Sequence, residues 1–255
     1  MVRALERIAQ PDPSWDSDAV TGADLPRLDL LVTATVSWQR WRAAGGRAMY
    51  RNEQEQFWSG EFGDAYTARN STAEKQAAAT GRMARIVART AAVRSVVEFG
   101  ANVGSNLIAL RILLPHARLE GVEINEEAYR RLATVGGVSA HHGSVLDYVQ
   151  KPPADLAFTS GLLIHINPEE LPRVYATLYQ ASARYIAVSE YYNPVPVEVS
   201  YRGHAHRLFK RDFAGDLLTA YPDLRLVDYG FMYHRDPVFP DDDATWFLLE
   251  KSVAQ

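Results

Sequence analysis

The chain has 255 residues, of which 47% are hydrophobic and 23% charged, with a formal net charge of −4 and no cysteine. A chain of this length can hold one full α/β domain with an added segment, and the missing cysteines exclude disulfides, zinc–thiolate sites and thiol catalysis. The mild negative charge gives no general attraction to nucleic acid or anionic membranes, so we expect no nucleic-acid partner. No long apolar run is present, so we expect no membrane span. The first ten residues are too charged for a signal peptide, and we therefore expect a cytoplasmic protein.

The first fifty residues are expected to be an accessory segment. Residues 1 to about 26 contain scattered prolines and acids, which is typical of an irregular arm. Residues 28–41 are amphipathic enough for a helix, in which Trp38 and Trp41 share one face. Such a face packs against the main domain or a second subunit more often than it binds a ligand. The expected state is therefore a monomer or a homodimer.

Residues 52–70 carry four aromatic residues among glycines and acids, ahead of the first predicted strand. We expect this segment to form a lid over a ligand, with Tyr66 and Arg69 as its ligand-facing residues. An aromatic face attracts a cation, and an arginine pairs with a carboxylate. A small aromatic cluster that caps the core is the alternative. The chain is accordingly divided into an arm and lid at residues 1–70 and a main domain at residues 71–255.

One strand–helix–strand unit organises the main domain. A capping box at residues 71–74 predicts the start of a long helix that leads into the first strand. That strand ends at Glu98 and Gly100, a helix follows Gly104, and a second strand ends with Glu123. Ligands of such sheets bind beyond the carboxyl ends of the strands. These residues are therefore expected to line a ligand site.

The glycines of this unit do not match a dinucleotide site. That fingerprint requires glycine at its first, third and sixth positions, which here hold Gly100, Asn102 and Ser105. Glu98 would also repel a pyrophosphate. S-adenosylmethionine has no phosphate and carries a sulfonium and an ammonium, so Glu98, an open backbone and Glu123 for the ribose hydroxyls suit it better. The pattern resembles the ExGxGxG motif of class I methyltransferases, with an asparagine that tolerates left-handed dihedrals in place of the middle glycine. A plain turn without a ligand is the alternative.

Later segments complete the expected crevice. After a third strand, residues 143–147 lie where methyltransferases hold adenine, and Asp147 either binds the exocyclic amine or caps the next turn. Past the fourth strand, His165 is either a general base or a structural residue that bonds a backbone carbonyl. Glu190 and Tyr191 follow the fifth strand and are the next candidates for the base.

Residues 191–210 are predicted to form a long substrate loop over this crevice, because they contain prolines and cations and follow a central strand. Clustered cations in an acidic protein favour an anionic acceptor, either a carboxylate or the phosphates of a nucleotide-linked sugar. A solvated face is the alternative. The two histidines of the loop lack a clear third ligand, so we expect no metal. The candidate substrate-binding residues are Tyr192, Tyr201, Arg202, His204, His206 and Arg207.

A helix at residues 209–221 and two strands, residues 224–233 and 244–251, close the chain. Seven strands that alternate with helices and end in an antiparallel strand match the class I methyltransferase fold. This is a Rossmann-like α/β sheet with helices on both faces, here with an N-terminal helical extension.

The chain also resembles a narrower family, the pseudaminic-acid-biosynthesis-associated methylases. The resemblance covers roughly residues 52–251 and rests on FWSGEFGDAYTARN, VVEFGANVGSN, GVEINEEA, TSGLLIHINPEEL, EYYNPVPVEVSYRGHAHRLFKRDFAGDLL and TWFLLEK. It implies methyl transfer from S-adenosylmethionine to an oxygen or nitrogen of a sugar-like or other small polar metabolite.

Three functions are compatible with these residues. A small-molecule methyltransferase is favoured, and the alternatives are an NAD(P)-dependent oxidoreductase and a module that binds S-adenosylmethionine without catalysis. The predicted catalytic residues are His165, Glu190 and Tyr191. The predicted contacts of S-adenosylmethionine are Tyr66, Arg69, Glu98, Gly100, Asn102, Gly104, Glu123, Ile124, Ser144, Val145 and Ser160.

Overall fold

The fold is built on a twisted β-sheet with helices on both of its faces. The computed structural model describes residues 52–69, 72–149, 152–201 and 203–252, without the side chains of residues 68, 69, 204 and 205. The predicted helix at residues 28–41, its tryptophan pair and Arg202 lie outside the described residues. All described residues belong to one compact unit, including the predicted lid segment.

Strands and helices alternate over much of the chain. The strands are β1 (Ser95–Phe99), β2 (Arg118–Glu123), β3 (Val138–His142), β4 (Ala154–Ser160), β5 (Ser182–Glu190), β6 (Val197–Tyr201), β7 (His204–Lys210), β8 (Leu224–Phe231) and β9 (Thr245–Lys251). The α-helices are α1 (Glu53–Ser59), α2 (Glu61–Arg69), α3 (Ala73–Val87), α4 (Ser105–Leu113), α5 (Glu126–Leu132), α6 (Leu171–Ala181) and α7 (Phe213–Ala220). No helix in the described part of the chain is both long and apolar enough to cross a membrane.

Seven strands form one sheet in the order β3-β2-β1-β4-β5-β9-β8. The first five run parallel, and β9 pairs antiparallel with both β5 and β8. The predicted seven-stranded sheet with an antiparallel last strand is therefore confirmed. The carboxyl ends of β1, β2, β4 and β5 meet at one edge, where the candidate residues lie.

The sheet separates two apolar layers, because successive side chains of a strand point to opposite faces. In β1, Val96 packs into one layer and Val97 and Phe99 into the other. The first layer is completed by α3 and α4, for example by Met83 and Leu110. The second is completed by α6 and α7. Covering both faces explains the apolar runs in the central parallel strands β4 and β5.

The predicted long loop at residues 191–210 was wrong, because most of it is a β-hairpin. Strands β6 and β7 pair antiparallel, with Val199 opposite Leu208, and Gly203 turns between them at a φ of +85°. Leu208 is buried in the core, so the hairpin has an apolar side to anchor it. The helix that follows the hairpin, α7, also begins later than predicted. Asp212 caps it by accepting a hydrogen bond from the backbone N–H of Gly215 at 2.8 Å.

The start of α3 differs by one residue from the predicted capping box. The N-cap is Thr72, whose hydroxyl accepts a hydrogen bond from the backbone N–H of Lys75 at 3.3 Å. Threonine caps a helix as serine does, so the helix forms with its start displaced by one position.

Candidate active site

The turn between β1 and α4 opens the site. Gly100 and Gly104 have φ angles of +73° and +87°, and Asn102 between them has +48°. The left-handed region favours glycine and admits asparagine, which explains the residue types of this turn. A side chain at position 100 would also bring a Cβ within 3.0 Å of Leu162. The turn therefore leaves its backbone open toward the crevice.

Two adjoining cavities form the crevice, one of about 110 Å³ and one of about 380 Å³. They share five lining residues, so we treat them as two compartments of one site. The shared residues are Tyr66, Gly100, Asn102, Gly161 and His165.

The small cavity lies between the ends of β2 and β3. Of the predicted cofactor residues, it is lined by Ile124, Ser144 and Val145 together with Glu123. Asp147 is exposed and does not line it, so the predicted contact of that side chain with adenine finds no support.

Glu123 is buried at the end of β2 and is held by the neighbouring backbone. Its two carboxylate oxygens accept hydrogen bonds from the N–H groups of Asn102 at 2.8 Å and Asn125 at 2.7 Å. Burial raises the pKa of Glu123, while these amide bonds oppose the rise. Each oxygen can accept a further hydrogen bond, so the carboxylate suits a ligand with two adjacent hydroxyls.

Glu98 lines the large cavity from the end of β1. Asn106 donates a hydrogen bond to its Oε1 at 2.6 Å, and its Oε2 is buried with no partner among the described residues. Burial raises the pKa of Glu98 to about 8. A carboxylate in this position is stabilised by any cation that enters the cavity.

A largely buried arginine, Arg82, lies near Glu98. Arg82 donates to Asn106 Oδ1 at 3.0 Å and pairs with Asp241, and its Nε is buried with no partner in the described structure. Arg82, Asn106 and Asp241 all line the large cavity. The sequence reasoning missed these three residues. Asp241 lies between the last two predicted strands, in a segment to which the sequence analysis assigned no function.

His165 closes the crevice from a short 3₁₀ turn, Leu163–His165, after β4. Its Nδ1 donates to the backbone carbonyl of Arg207 at 2.7 Å, which leaves a lone pair on Nε2. The ring packs against Trp58, with centroids 4.3 Å apart. Burial lowers the pKa of His165 to about 4, so the imidazole is neutral at physiological pH.

Glu190, at the end of β5, also lines the large cavity and fixes that turn. Its carboxylate accepts hydrogen bonds from the backbone N–H groups of Leu162 at 3.1 Å and Ile164 at 3.4 Å. Burial raises its pKa to about 7, whereas the backbone bonds lower it. Tyr191 lines the same cavity. The predicted catalytic residues are therefore brought together.

Helices α1 and α2 make up the predicted lid segment, here residues 52–69. Asn125 anchors it by donating to the backbone carbonyl of Trp58 at 3.1 Å and to Asp64 at 2.9 Å. Ser144 donates to Glu55 at 2.6 Å. The lid packs its aromatic rings beside His165, and Tyr66 lines both cavities. The side chain of Arg69 is not among those described.

We expect the substitution Gly63→Ala to loosen the lid. A Cβ at position 63 would lie 1.8 Å from the carbonyl oxygen of Trp58 and 2.8 Å from the side-chain nitrogen of Asn125. Overpacking of this kind typically costs about 1–3 kcal/mol. Limited proteolysis should cleave the lid faster in this variant. The control is Gly136→Ala, whose Cβ would have no atom within 4 Å. Equal cleavage of the two variants would show that the contact does not hold the lid.

The described cations of the β6–β7 hairpin lie outside both cavities. His206 bonds Glu198 at 3.0 Å, Arg207 pairs with Glu53 at 3.3 Å, and Arg211 pairs with Asp216 at 2.8 Å. Lys210 lies over the ring of Tyr191, 5.1 Å from its centroid. None of these described cations lines either cavity, so they give no support to an anion site. The anionic acceptor thus stays a prediction.

The remaining predicted residues separate into three groups. Ser160 and Tyr201 line the large cavity. Gly104 serves as the N-cap of α4 and Tyr192 lies against Phe247, with neither in a cavity wall. The side chain of His204 is not described. Within the described ranges, no group of three His, Asp or Glu residues is arranged to hold a metal ion.

No protein-family model matches the chain, and no curated protein matches it significantly. Solved structures do resemble it at 12–15% identity. The 1,6-didemethyltoxoflavin-N1-methyltransferase of Burkholderia thailandensis, with bound 1,6-didemethyltoxoflavin and S-adenosylhomocysteine, has 15% identity and a TM-score of 0.63 over 82% of this chain and 93% of that one. The magnesium protoporphyrin IX methyltransferase of Synechocystis PCC 6803, with bound S-adenosylmethionine, has 15% identity and a TM-score of 0.58 over 81% and 100%.

The plantazolicin methyltransferase BpumL, in complex with a pentazolic desmethylPZN analog and S-adenosylhomocysteine, has 12% identity and a TM-score of 0.56 over 78% and 95%. These likenesses show the fold, which is the Rossmann-like class I methyltransferase fold predicted from the sequence. None of the three is described as a pseudaminic-acid-associated methylase, so that narrower resemblance stays a prediction.

Proposed function

We propose that the protein transfers a methyl group from S-adenosylmethionine to a small polar metabolite. The observation that carries this is a pair of buried groups in the large cavity that have no partner among the described residues. Glu98 Oε2 complements an ammonium, and Arg82 Nε complements a carboxylate. A methionyl group carries both charges.

The small cavity suits the adenosyl part of the same ligand. Glu123 would accept hydrogen bonds from the ribose hydroxyls, and the apolar side chains of Val122, Ile124 and Val145 would contact the adenine. When bound, the cofactor supplies a methyl group on a positively charged sulfur. Tyr66 and His165, which line both cavities, would stand beside that sulfur, where an aromatic face favours positive charge.

The side chains of the large cavity would orient the acceptor and remove its proton. Orientation alone contributes several kcal/mol to such displacements. Glu190 is the better base, because its pKa of about 7 matches the working pH, whereas His165, with a pKa of about 4, is a weak base. The lid would exclude water from the reacting atoms.

A thermal-shift experiment tests the cofactor. S-adenosylhomocysteine at 100-fold its dissociation constant should stabilise the protein by about 2.7 kcal/mol. For a domain of this size, that corresponds to a rise of roughly 5–10 °C in Tm. NAD at the same concentration is the control and should produce no shift. A shift with NAD alone would instead favour the oxidoreductase.

Turnover separates an enzyme from a binding module. Release of S-adenosylhomocysteine is measured across amino, neutral and acidic sugars and their nucleotide-linked forms. Acceptor-dependent release is expected, and uniform background across the panel would favour the module.

A further inference from the structure

The large cavity is acidic. Four carboxyl groups line it, Glu98, Glu190, Asp241 and Asp242, against the two cations Lys75 and Arg82. Lys75 lies 3.1 Å from Asp242, and Arg82, which pairs with Asp241 through its Nη1, carries the Nε proposed above for the cofactor carboxylate. Among the described residues that line the cavity, no further cation is present to pair with an anionic acceptor.

One carboxyl group is left for the acceptor. On the proposed function, the ammonium of the cofactor compensates Glu98. Glu190 then accepts hydrogen bonds from backbone N–H groups at the 3₁₀ turn, and no cation pairs with it among the described residues. Ser189 also lines this cavity, and its Oγ is buried without a partner in the described structure. The ionised carboxylate only accepts hydrogen bonds and the serine hydroxyl can accept or donate one, so both can serve a ligand that donates them.

Aromatic side chains complete this end of the cavity. Tyr66, Tyr191 and Tyr201 line it together, and His165 lies 5.2 Å from Tyr201, centroid to centroid. Burial raises the pKa of Tyr191, as do the charges of the nearby carboxyl groups, so its hydroxyl stays protonated. Aromatic faces and carboxylates both attract cations and disfavour a desolvated anion.

We propose that the methyl acceptor is an amine that binds as its ammonium form between Glu190 and the tyrosines, and that it is methylated on nitrogen. This inference rests on the proposed function and assigns the acceptor the opposite charge to the one predicted from the hairpin cations. Glu190 takes one proton from the ammonium. The freed nitrogen lone pair forms the N–CH₃ bond as the S–CH₃ bond breaks, and the bonding pair stays on sulfur as a thioether. The product is a methylated ammonium, and Glu190 later releases its proton to solvent.

Three probes of similar size and different charge test this inference: 2-aminoethanol, ethylene glycol and glycolate. Their dissociation constants are measured by ligand-observed NMR on the protein saturated with S-adenosylhomocysteine. We expect 2-aminoethanol to bind at least about tenfold more tightly than glycolate, with ethylene glycol between them. Equal or tighter binding of glycolate, or no measurable binding of 2-aminoethanol, would overturn it.

A matched pair of variants assigns the preference to the cavity. Glu190→Gln should weaken the binding of 2-aminoethanol by about tenfold or more without weakening the binding of glycolate. Glu198→Gln removes an exposed carboxylate outside both cavities and should change neither probe. A preference that survives in Glu190→Gln would contradict the assignment. If Glu190→Gln folds poorly, the comparison of the three ligands on the wild-type protein still tests the inference. Failure of S-adenosylhomocysteine to bind the wild type would count against the proposed function instead.

Discussion

Replacing Glu190 by glutamine is expected to lower kcat for methyl transfer by about 10²- to 10⁴-fold, the range typical of a lost general base. Glutamine keeps the shape of the side chain and can still accept one of the two backbone hydrogen bonds from Leu162 and Ile164. It cannot take a proton from the acceptor. Affinity for S-adenosylhomocysteine, measured by calorimetry, should be unchanged, because the cofactor contacts proposed above do not include Glu190.

The pH dependence distinguishes a base from a residue that only supports the turn. The pKa of Glu190 is about 7, so the fraction of ionised carboxylate rises as the pH increases through that value. In the wild type, kcat/KM should therefore rise up to about pH 7 and then level off. In Glu190→Gln this inflection should disappear. A variant that is slow but keeps the same inflection would show that Glu190 acts only by positioning His165.

The parallel sheet was predictable because its strands are buried on both faces. Runs such as residues 96–97 and 185–188 are continuous and apolar, and caps or glycines mark the helices between them. The β6–β7 hairpin was missed for a local reason. Pro194 and Pro196 precede it, and its alternating pattern is mixed with charged residues, so the segment read as a loop.

The candidate site likewise contains some residues that the sequence identified and others that it did not. Glu98, Gly100 and Glu123 were found because the strand–turn–helix pattern places them locally. Arg82 and Asp241 were missed because their pairing joins residues 159 positions apart. The cations of the hairpin were misleading for a related reason. Arg207 is compensated by Glu53, 154 positions earlier, and no local pattern shows such a partner.

Replacing Glu98 by glutamine should weaken S-adenosylhomocysteine about 10- to 100-fold, which corresponds to the loss of one charge-assisted hydrogen bond. Glutamine can still accept the hydrogen bond from Asn106, so the neighbouring polar groups keep their partner. What it loses is the negative charge opposite the ammonium. Calorimetric titration of wild type and variant with the same ligand measures the difference.

The same substitution should increase the folding stability of the unliganded protein. The pKa of Glu98 is raised from 4.5 to about 8, so between these values the folded state holds a proton that the unfolded state has lost. Its contribution to stability is therefore fully present below pH 4.5 and is lost as the pH rises through about 8. Glutamine does not titrate, so at pH 8 the variant should be more stable than the wild type by on the order of 2–4 kcal/mol, and at low pH the difference should vanish.

The loss of ligand affinity and the gain of stability both arise from the negative charge of Glu98, which depends on pH. The bound ammonium needs Glu98 ionised, so the affinity of the wild type for S-adenosylhomocysteine should increase from about pH 6 to about pH 8, by up to tenfold per unit. Other buried carboxyls, Glu123 and Glu190, also have raised pKa values, and the glutamine variant corrects for them because it keeps both. If the variant shows the same pH-dependent affinity as the wild type, the carboxylate of Glu98 does not bind the ammonium, and the cofactor would have to be held in another way.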